Sequence, residues 1–335
     1  MLFRSIKIWD PDHESPVYQL PGSSHLVTAM LPLEEGILIG DSKGGLLMQR
    51  DEGSRAFSQL SKNPVASMDR GTDGSILVAY KDGLLACIDS ISGQPIWTRR
   101  IDGLTCALLL SGGYAYGTQA GRVQVCTGQG REAGPIAGWE IPWHSKTPIS
   151  AMDQDAAGRL LVVGNAAGEM TCIDLASHRE MWRHRAQEGW ISDLRIDPTG
   201  RFVVSMGQDK TVAIWKLHVG KLLHRLEGMD RASMALCFSP DGRRLVTASG
   251  YAGDLRIWDF PSGHMLARLN AGCAPFAVCF RSGALVTAGF ANAAIGLGGR
   301  LGEITCFRGR AQVIPRAGAK ARSLDTLTTP PLRIR

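Results

Sequence analysis

The sequence lacks the features that mark secreted, membrane-embedded and metal-binding proteins. No apolar run of the 335-residue chain reaches about 18 residues, and residues 1–20 lack the apolar core of a signal peptide. The eight cysteines contain no CxxC pair and lie mostly in apolar runs, which is typical of buried free thiols in a reducing compartment. We therefore expect a cytoplasmic protein without a metal.

Recognisable catalytic motifs are also missing. The eight histidines show no paired metal spacing, and the carboxylates and nucleophiles form no coherent catalytic set. The glycine-rich segment 296–302 resembles a phosphate loop in composition, but it lies between two predicted strands, whereas a phosphate loop follows a parallel strand and opens a helix. These absences predict a protein that is not an enzyme and binds no cofactor.

The charge is unevenly distributed. The formal net charge is +6, and residues 308–335 carry all of this excess, with seven basic side chains and one acidic side chain. Because the remaining chain is neutral overall, we do not expect its folded surface to bind nucleic acid or a membrane. Low apolar content and the Pro330-Pro331 pair predict a flexible basic tail over 316–335, after a single folded domain over 1–315.

Glycine is abundant, with 40 copies, and it recurs within a repeat of about 40 residues. In the clearest copy, 235–259, an alternating strand leads into the turn Ser239-Pro240-Asp241-Gly242, which is followed by two more strands. Proline fixes φ early in such a turn and glycine supplies a positive φ at its end, so the tetrapeptide predicts a hairpin. The turn position is occupied seven times, by Gly36, Gly74, Gly113, Gly158, Gly200, Gly242 and Gly283.

Two copies of this repeat resemble the WD-repeat family. They combine Phe238-Ser239-Pro240-Asp241-Gly242 with Ile257-Trp258-Asp259, and Asp209-Lys210-Thr211-Val212 with Ile214-Trp215-Lys216. The resemblance implies an all-β propeller, and the seven copies predict seven four-stranded antiparallel blades. An eight-bladed ring and a propeller truncated at its N-terminus are the alternatives, because Ile6–Asp10 resembles a third strand without a first or second. In the preferred arrangement, Val17–Leu20 completes the sheet that begins at Phe276.

Two other copies have a different spacing. Cys87-Ile88-Asp89 is followed by Trp97, and Cys172-Ile173-Asp174 is followed by Trp182. This spacing is similar to that of quinoprotein-type propellers, which implies a quinone-dependent dehydrogenase or a degenerate relative as an alternative function. The adjacent cysteine pair associated with many such dehydrogenases is absent. Nucleic-acid binding through the basic tail is a second alternative.

The WD-repeat resemblance also implies a structural hydrogen bond. In that family a histidine before the innermost strand often binds an aspartate in the turn before the third strand, and His25 and Asp41 occupy these positions. In the blade of Asp209, Gly189-Trp190 replaces the family's Gly-His pair, so the complete network is not expected there.

The expected function is that of a non-catalytic scaffold, monomeric within a larger complex, that binds other proteins through the propeller faces. Loops that enter the innermost strands, and loops between the second and third strands, converge on one narrow face. Aromatic and arginine side chains dominate interface energies, whereas lysines mainly steer association. The predicted anchors are Trp190, Arg231 and Tyr251, and the same face includes His25, Lys43 and Lys81.

Overall fold

The computed structural model describes a chain of β-strands. It covers residues 6–9, 16–20, 25–50, 53–128, 138–141, 146–227, 229, 233–249, 254–270, 273–281, 284–291 and 303–307. The predicted tail at 316–335 therefore lies outside the described residues. The described part contains no helix with the length and apolarity needed to cross a membrane.

Among the described residues, six of the sheets are four-stranded and antiparallel, and each is formed by four consecutive strands. The first three of these sheets contain β3 (Val27–Leu33), β4 (Gly36–Asp41), β5 (Gly45–Arg50) and β6 (Gly53–Gln59); β7 (Val65–Arg70), β8 (Ser75–Tyr80), β9 (Leu84–Asp89) and β10 (Pro95–Arg100); and β11 (Leu104–Leu110), β12 (Gly113–Thr118), β13 (Val123–Thr127) and β14 (Gly138–Glu140). The next three contain β15 (Ile149–Gln154), β16 (Leu160–Asn165), β17 (Glu169–Asp174) and β18 (Arg179–Arg185); β19 (Ile191–Ile196), β20 (Phe202–Gly207), β21 (Val212–Lys216) and β22 (Lys221–Leu226); and β23 (Ser233–Phe238), β24 (Arg244–Ser249), β25 (Asp254–Asp259) and β26 (His264–Asn270).

The remaining sheet is built differently, from both ends of the described chain. Its five strands are, in spatial order, β27 (Cys273–Arg281), β28 (Ala284–Ala291), β29 (Glu303–Phe307), β1 (Ile6–Trp9) and β2 (Pro16–Leu20). Strand β1 runs parallel to β29, with Ile6 opposite Ile304. The first strands contact one another in sequence from β3 to β27, and β27 contacts β3, so the sheets form a closed ring.

The prediction of seven four-stranded antiparallel blades is therefore wrong: six blades meet that description, and the sheet of β27 has five strands and a parallel pair. The physical reason is that two third-strand-like segments, β29 and β1, lie side by side in one sheet. The eight-bladed and truncated alternatives do not match either, because β1 joins the sheet of β27 and is not the remnant of a separate blade. Strand β2 shares that sheet, as predicted for Val17–Leu20, but β1 lies between it and β29.

The core lies between neighbouring blades. Every residue of β8 and of β16 is buried, because a second strand has an adjacent blade on each side. One apolar cluster joins Val162 of one blade to Leu194 and Trp215 of the next. A single blade could not bury these side chains, so the blades stabilise one another by burial of apolar surface.

The outermost strands also contact the following blade. The indole Nε1 of Trp182, on β18, donates a hydrogen bond to the carbonyl oxygen of Leu217 at 2.6 Å. Trp97, on β10, lies against Tyr114 of the following blade, with ring centroids 5.1 Å apart. Both tryptophans that suggested a quinoprotein-type spacing therefore pack between blades.

A glycine in the turn between the third and fourth strands of the following blade permits the contact of Trp182 with that blade. Gly220 has φ +62°, and a Cβ atom there would lie 2.6 Å from His184 Nε2 and 2.7 Å from Trp182 Cγ. In the preceding blade His178 occupies the equivalent position with φ +57°, and its ring stacks on Trp139 at 4.2 Å. The turn thus needs a left-handed residue, and at Gly220 it also needs the absence of a side chain.

We predict that Gly220→Ala lowers the free energy of unfolding by roughly 2–4 kcal/mol, from the strained φ and the clash with Trp182. Urea unfolding followed by tryptophan fluorescence measures the change. Gly112→Ala is the control, since a Cβ atom at Gly112 meets nothing within 4 Å. An equal loss of stability in both variants would contradict the proposed packing at Gly220.

Deletion of residues 1–20 should lower the Tm by about 5 °C or more, because it removes β1 and β2 and uncovers the edge of β29. Differential scanning calorimetry of the truncated and full chains measures this shift. An unchanged Tm would show that β1 and β2 do not stabilise the ring.

Candidate functional site

One end of the ring, which we call the narrow face, consists of the residues before each first strand and those between each second and third strand. The backbone joins these two segments within a blade. The N–H groups of Ser42, Lys81, Gln119, Ala166 and Gln208 donate to the carbonyl oxygens of Leu26, Pro64, Gly103, Pro148 and Trp190, at 2.7–3.1 Å. Five blades thus hold their narrow-face loops in the same way.

The structure places four of the six predicted binding residues on this face. Trp190 precedes β19 and is 43% exposed. Lys43 and Lys81 are exposed, and His25 is half-buried. Arg231 and Tyr251 lie outside the described residues, so their place in the site stays a prediction.

The structure does not bring these residues together in one cluster. His25 and Lys43 belong to the sheet of β3, and Lys81 belongs to the adjacent sheet of β7. Trp190 belongs to the sheet of β19, which is adjacent to neither. A partner that contacts all four residues must therefore extend across the mouth of the central channel.

A buried polar network lies beneath Trp190, although sequence reasoning did not expect one there. The side chain of Gln187 donates to the carbonyl oxygen of Ser205 at 3.0 Å, and Trp215 Nε1 donates to Ser205 Oγ at 3.2 Å. Thr211 Oγ1 lies 2.7 Å from Gln187 Oε1 and 3.0 Å from Asp209 Oδ1. Through Thr211 and Ser205, Gln187 thus connects Asp209 to Trp215. The sequence did not indicate Gln187, because the family pattern predicts a histidine beside Gly189.

This network fixes the loop that carries Trp190. Asp209 accepts a hydrogen bond from the backbone N–H of Glu188 at 2.8 Å, and Arg225 donates to the carbonyl oxygen of Ala186 at 3.1 Å. Because a partner need not order this loop on binding, Trp190 is presented at a low entropic cost.

The predicted bond between His25 and Asp41 stays a prediction. Asp41 Oδ1 accepts hydrogen bonds from the backbone N–H groups of Lys43 and Gly45 at 2.8 and 2.9 Å. The carboxylate of Asp41 therefore shapes the turn that presents Lys43.

The central channel contains a group of charged side chains that sequence reasoning also missed. A cavity of about 580 Å³ is lined in part by Asp69, Asp153, Asp193 and Arg195, which lie on three innermost strands. Arg195 projects into the open channel, where 48% of its side chain is exposed, and its Nε lies 3.5 Å from Asp193 Oδ1. Among the described residues, no group of three or more His, Cys, Asp or Glu side chains could hold a metal ion.

Each of these aspartates joins its blade to the next. Asp69, Asp153 and Asp193 accept hydrogen bonds from the backbone N–H groups of Leu109, Ile196 and Leu236, at 2.7, 2.7 and 3.1 Å. Burial raises the pKa of all three carboxyl groups, and it raises the pKa of Asp153 to about 6, although the nearby Arg195 opposes the shift. The channel carboxylates are therefore structural acceptors whose negative charge is costly in the folded state.

Several known proteins are similar to this chain. The family model "WD domain, G-beta repeat" matches residues 179–216 and 220–259. An uncharacterized WD repeat-containing protein of Synechocystis sp. is 28% identical over 127 residues, 38% of this chain. The small ribosomal subunit protein RACK1y of Oryza sativa subsp. japonica is 36% identical over 94 residues, 28% of this chain. The chain spans only 36% and 28% of the lengths of these two relatives.

A solved structure supports the fold independently. The crystal structure of the Cps50 (Swd1) β-propeller domain of Myceliophteria thermophila superimposes with a TM-score of 0.70 at 15% identity, over 80% of this chain and 94% of that domain. Repeat, fold and relatives together define a β-propeller built from repeated blades. Within this β-propeller fold, residues 179–216 and 220–259 are WD repeats.

We predict that Asp153→Asn changes stability in a pH-dependent way. The folded-state pKa of Asp153, about 6, lies above the ordinary aspartate value of 3.8, so the wild-type protein loses stability as the pH rises from about 3.8 to about 6. Asparagine keeps an acceptor for Ile196 and carries no charge. The variant should be closest in stability to the wild type at about pH 4 and have a higher urea midpoint at about pH 7.5.

Urea unfolding at the two pH values tests this prediction, with Asp102→Asn on the exposed surface as the control. A variant less stable than the wild type at the higher pH would show that the Asp153 charge is stabilising.

Proposed function

We propose that this protein is a non-catalytic scaffold that binds other proteins through its narrow face. The observation that carries the proposal is the exposed indole of Trp190 on a loop fixed by Asp209 and Arg225. Exposed tryptophan on a rigid support is typical of interface anchors, and Lys43 and Lys81 supply charge that steers association. Because Trp190 lies across the channel from these lysines, the proposed partner covers the channel mouth.

The family supports the same proposal. WD-repeat propellers are generally protein-interaction scaffolds, and one of the relatives is named as a small ribosomal subunit protein. We propose by analogy that this chain acts as one subunit of a larger complex. The free, mostly buried thiols of the described cysteines are consistent with a cytoplasmic location, which is part of this proposal.

No feature of the described residues specifically supports either alternative function, the quinone-dependent dehydrogenase or the nucleic-acid binder. Trp97 and Trp182 pack against neighbouring blades, which accounts for their spacing without a quinone cofactor. The basic tail proposed for nucleic-acid binding lies outside the described residues.

Trp190→Ala should weaken partner binding by roughly 1–3 kcal/mol, the range for an interface anchor, while the Tm stays within a few degrees of the wild type. Affinity purification from the native cell, with quantitative mass spectrometry, measures the recovered partners. Adding Arg231→Ala and Tyr251→Ala should deepen the loss.

Ile91→Ser is the matched control, since Ile91 is 72% exposed but lies in a turn at the opposite end of its blade. Equal recovery of partners with the wild type and the triple variant would refute the role of this face.

A further inference from the structure

The turn between the third and fourth strands has the same two polar residues in three blades. An aspartate ends the third strand and a serine follows three residues later, as in Asp89 with Ser92 and Asp174 with Ser177, whose Oγ atoms donate to the carboxylate at 2.7 and 3.1 Å. Asp259 and Ser262 form the same bond in the blade of β25. The pair satisfies polar groups of the turn and closes it.

The turn between β21 and β22 lacks both residues. Lys216 stands at the aspartate position and Val219 at the serine position. The backbone is nevertheless unchanged, because the N–H of Gly220 donates to the carbonyl oxygen of Lys216 at 2.9 Å, as Gly93 donates to Asp89 at 2.9 Å. The fold therefore does not require this substitution, which removes a hydrogen-bonded pair and leaves Val219 64% exposed.

Lys216 also faces a charge of its own sign. In the register of this hairpin, Lys216 lies opposite Lys221, whereas the corresponding pairs elsewhere are Asp174 with Arg179 and Asp259 with His264. Both lysines are exposed, and neither has an ion-pair partner within the described part of the chain. Like charges directly opposite one another destabilise a strand pair, so an anionic ligand here would relieve a local cost.

Apolar side chains accompany these lysines along the edge of the blade. Leu222 and Leu223, on β22, are 39% and 36% exposed. We call Lys216, Val219, Lys221, Leu222 and Leu223 the basic apolar patch. Strand β22 is the outermost strand of its sheet, so one edge is available for pairing.

We propose that the basic apolar patch docks an extended segment of a partner protein in which acidic and apolar residues alternate, and that this segment adds to the sheet as a strand beside β22. Edge pairing would supply backbone hydrogen bonds, the leucines apolar contacts and the lysines charge complementarity. The exposed Arg201, whose carbonyl oxygen accepts the N–H of Leu217 at 2.9 Å, extends the positive surface. This side surface is separate from the narrow face and shares with the proposed function only that the partner is a protein.

The test uses the full chain and a fluorescein-labelled peptide in which glutamate alternates with valine. Fluorescence anisotropy should show salt-sensitive binding to the wild type, and no binding of a peptide in which lysine replaces glutamate. Lys216→Asp combined with Val219→Ser restores the pair of the other blades, so it should weaken binding about tenfold or more while the Tm stays equal or rises. Ile91→Ser is the control and should bind as the wild type does.

Equal affinity for the wild type and the double variant would overturn the proposal, and so would a wild type that binds the two peptides equally. Patch-dependent binding to phosphatidylserine vesicles without peptide binding would overturn it in favour of a membrane. Should the double variant not fold, Leu223→Ser takes its place with the same expected loss. Trp190→Ala should leave peptide binding unchanged, so failure of the narrow-face proposal and failure of this one are distinguishable.

Discussion

The structure depends on one constraint: a four-stranded blade cannot bury its own apolar faces. Fully buried second strands such as β8 and β16 exist only because a neighbouring blade lies on each side. Contacts between blades therefore occur from the central channel to the outer surface of the ring. Asp153 binds the next blade beside the channel, apolar clusters fill the middle, and Trp182 binds the next blade at the outer surface. Closure of the ring completes this mutual burial.

The same constraint separates structural from functional residues. Side chains within the blades, including the channel carboxylates, are already engaged in holding blades together. Packing between blades constrains the loops and the exposed positions of the outer edges less, and two residues there depart from what packing favours. Trp190 exposes its indole to solvent, and Lys216 stands where an aspartate closes the equivalent turn elsewhere. Departures of this kind from local rules are expected at functional sites.

The sequence alone predicted much of the fold, because each hairpin carries its own turn chemistry, as Ser239–Gly242 does. It misjudged the sheet of β27, because two segments with the same third-strand pattern share that sheet, and a parallel pairing of β1 with β29 leaves no periodic signal. Gln187 was missed because the family pattern predicts a histidine in this network, whereas a glutamine at a different position makes the hydrogen bonds here. The channel aspartates were missed because the backbone N–H groups that donate to them belong to strands about 40 residues away in the next repeat. The position of Trp190 on the narrow face, in contrast, follows from its place before an innermost strand, while its role in binding stays a prediction.

The proposed function depends on the binding of partners at the narrow face. Cross-linking mass spectrometry of the native protein, purified with its partners from its own cell, tests this claim most directly, because Lys43, Lys81 and Lys146 are exposed lysines on that face. Binding at the narrow face predicts cross-links from these lysines to another protein. Partner cross-links that avoid all three lysines would contradict it.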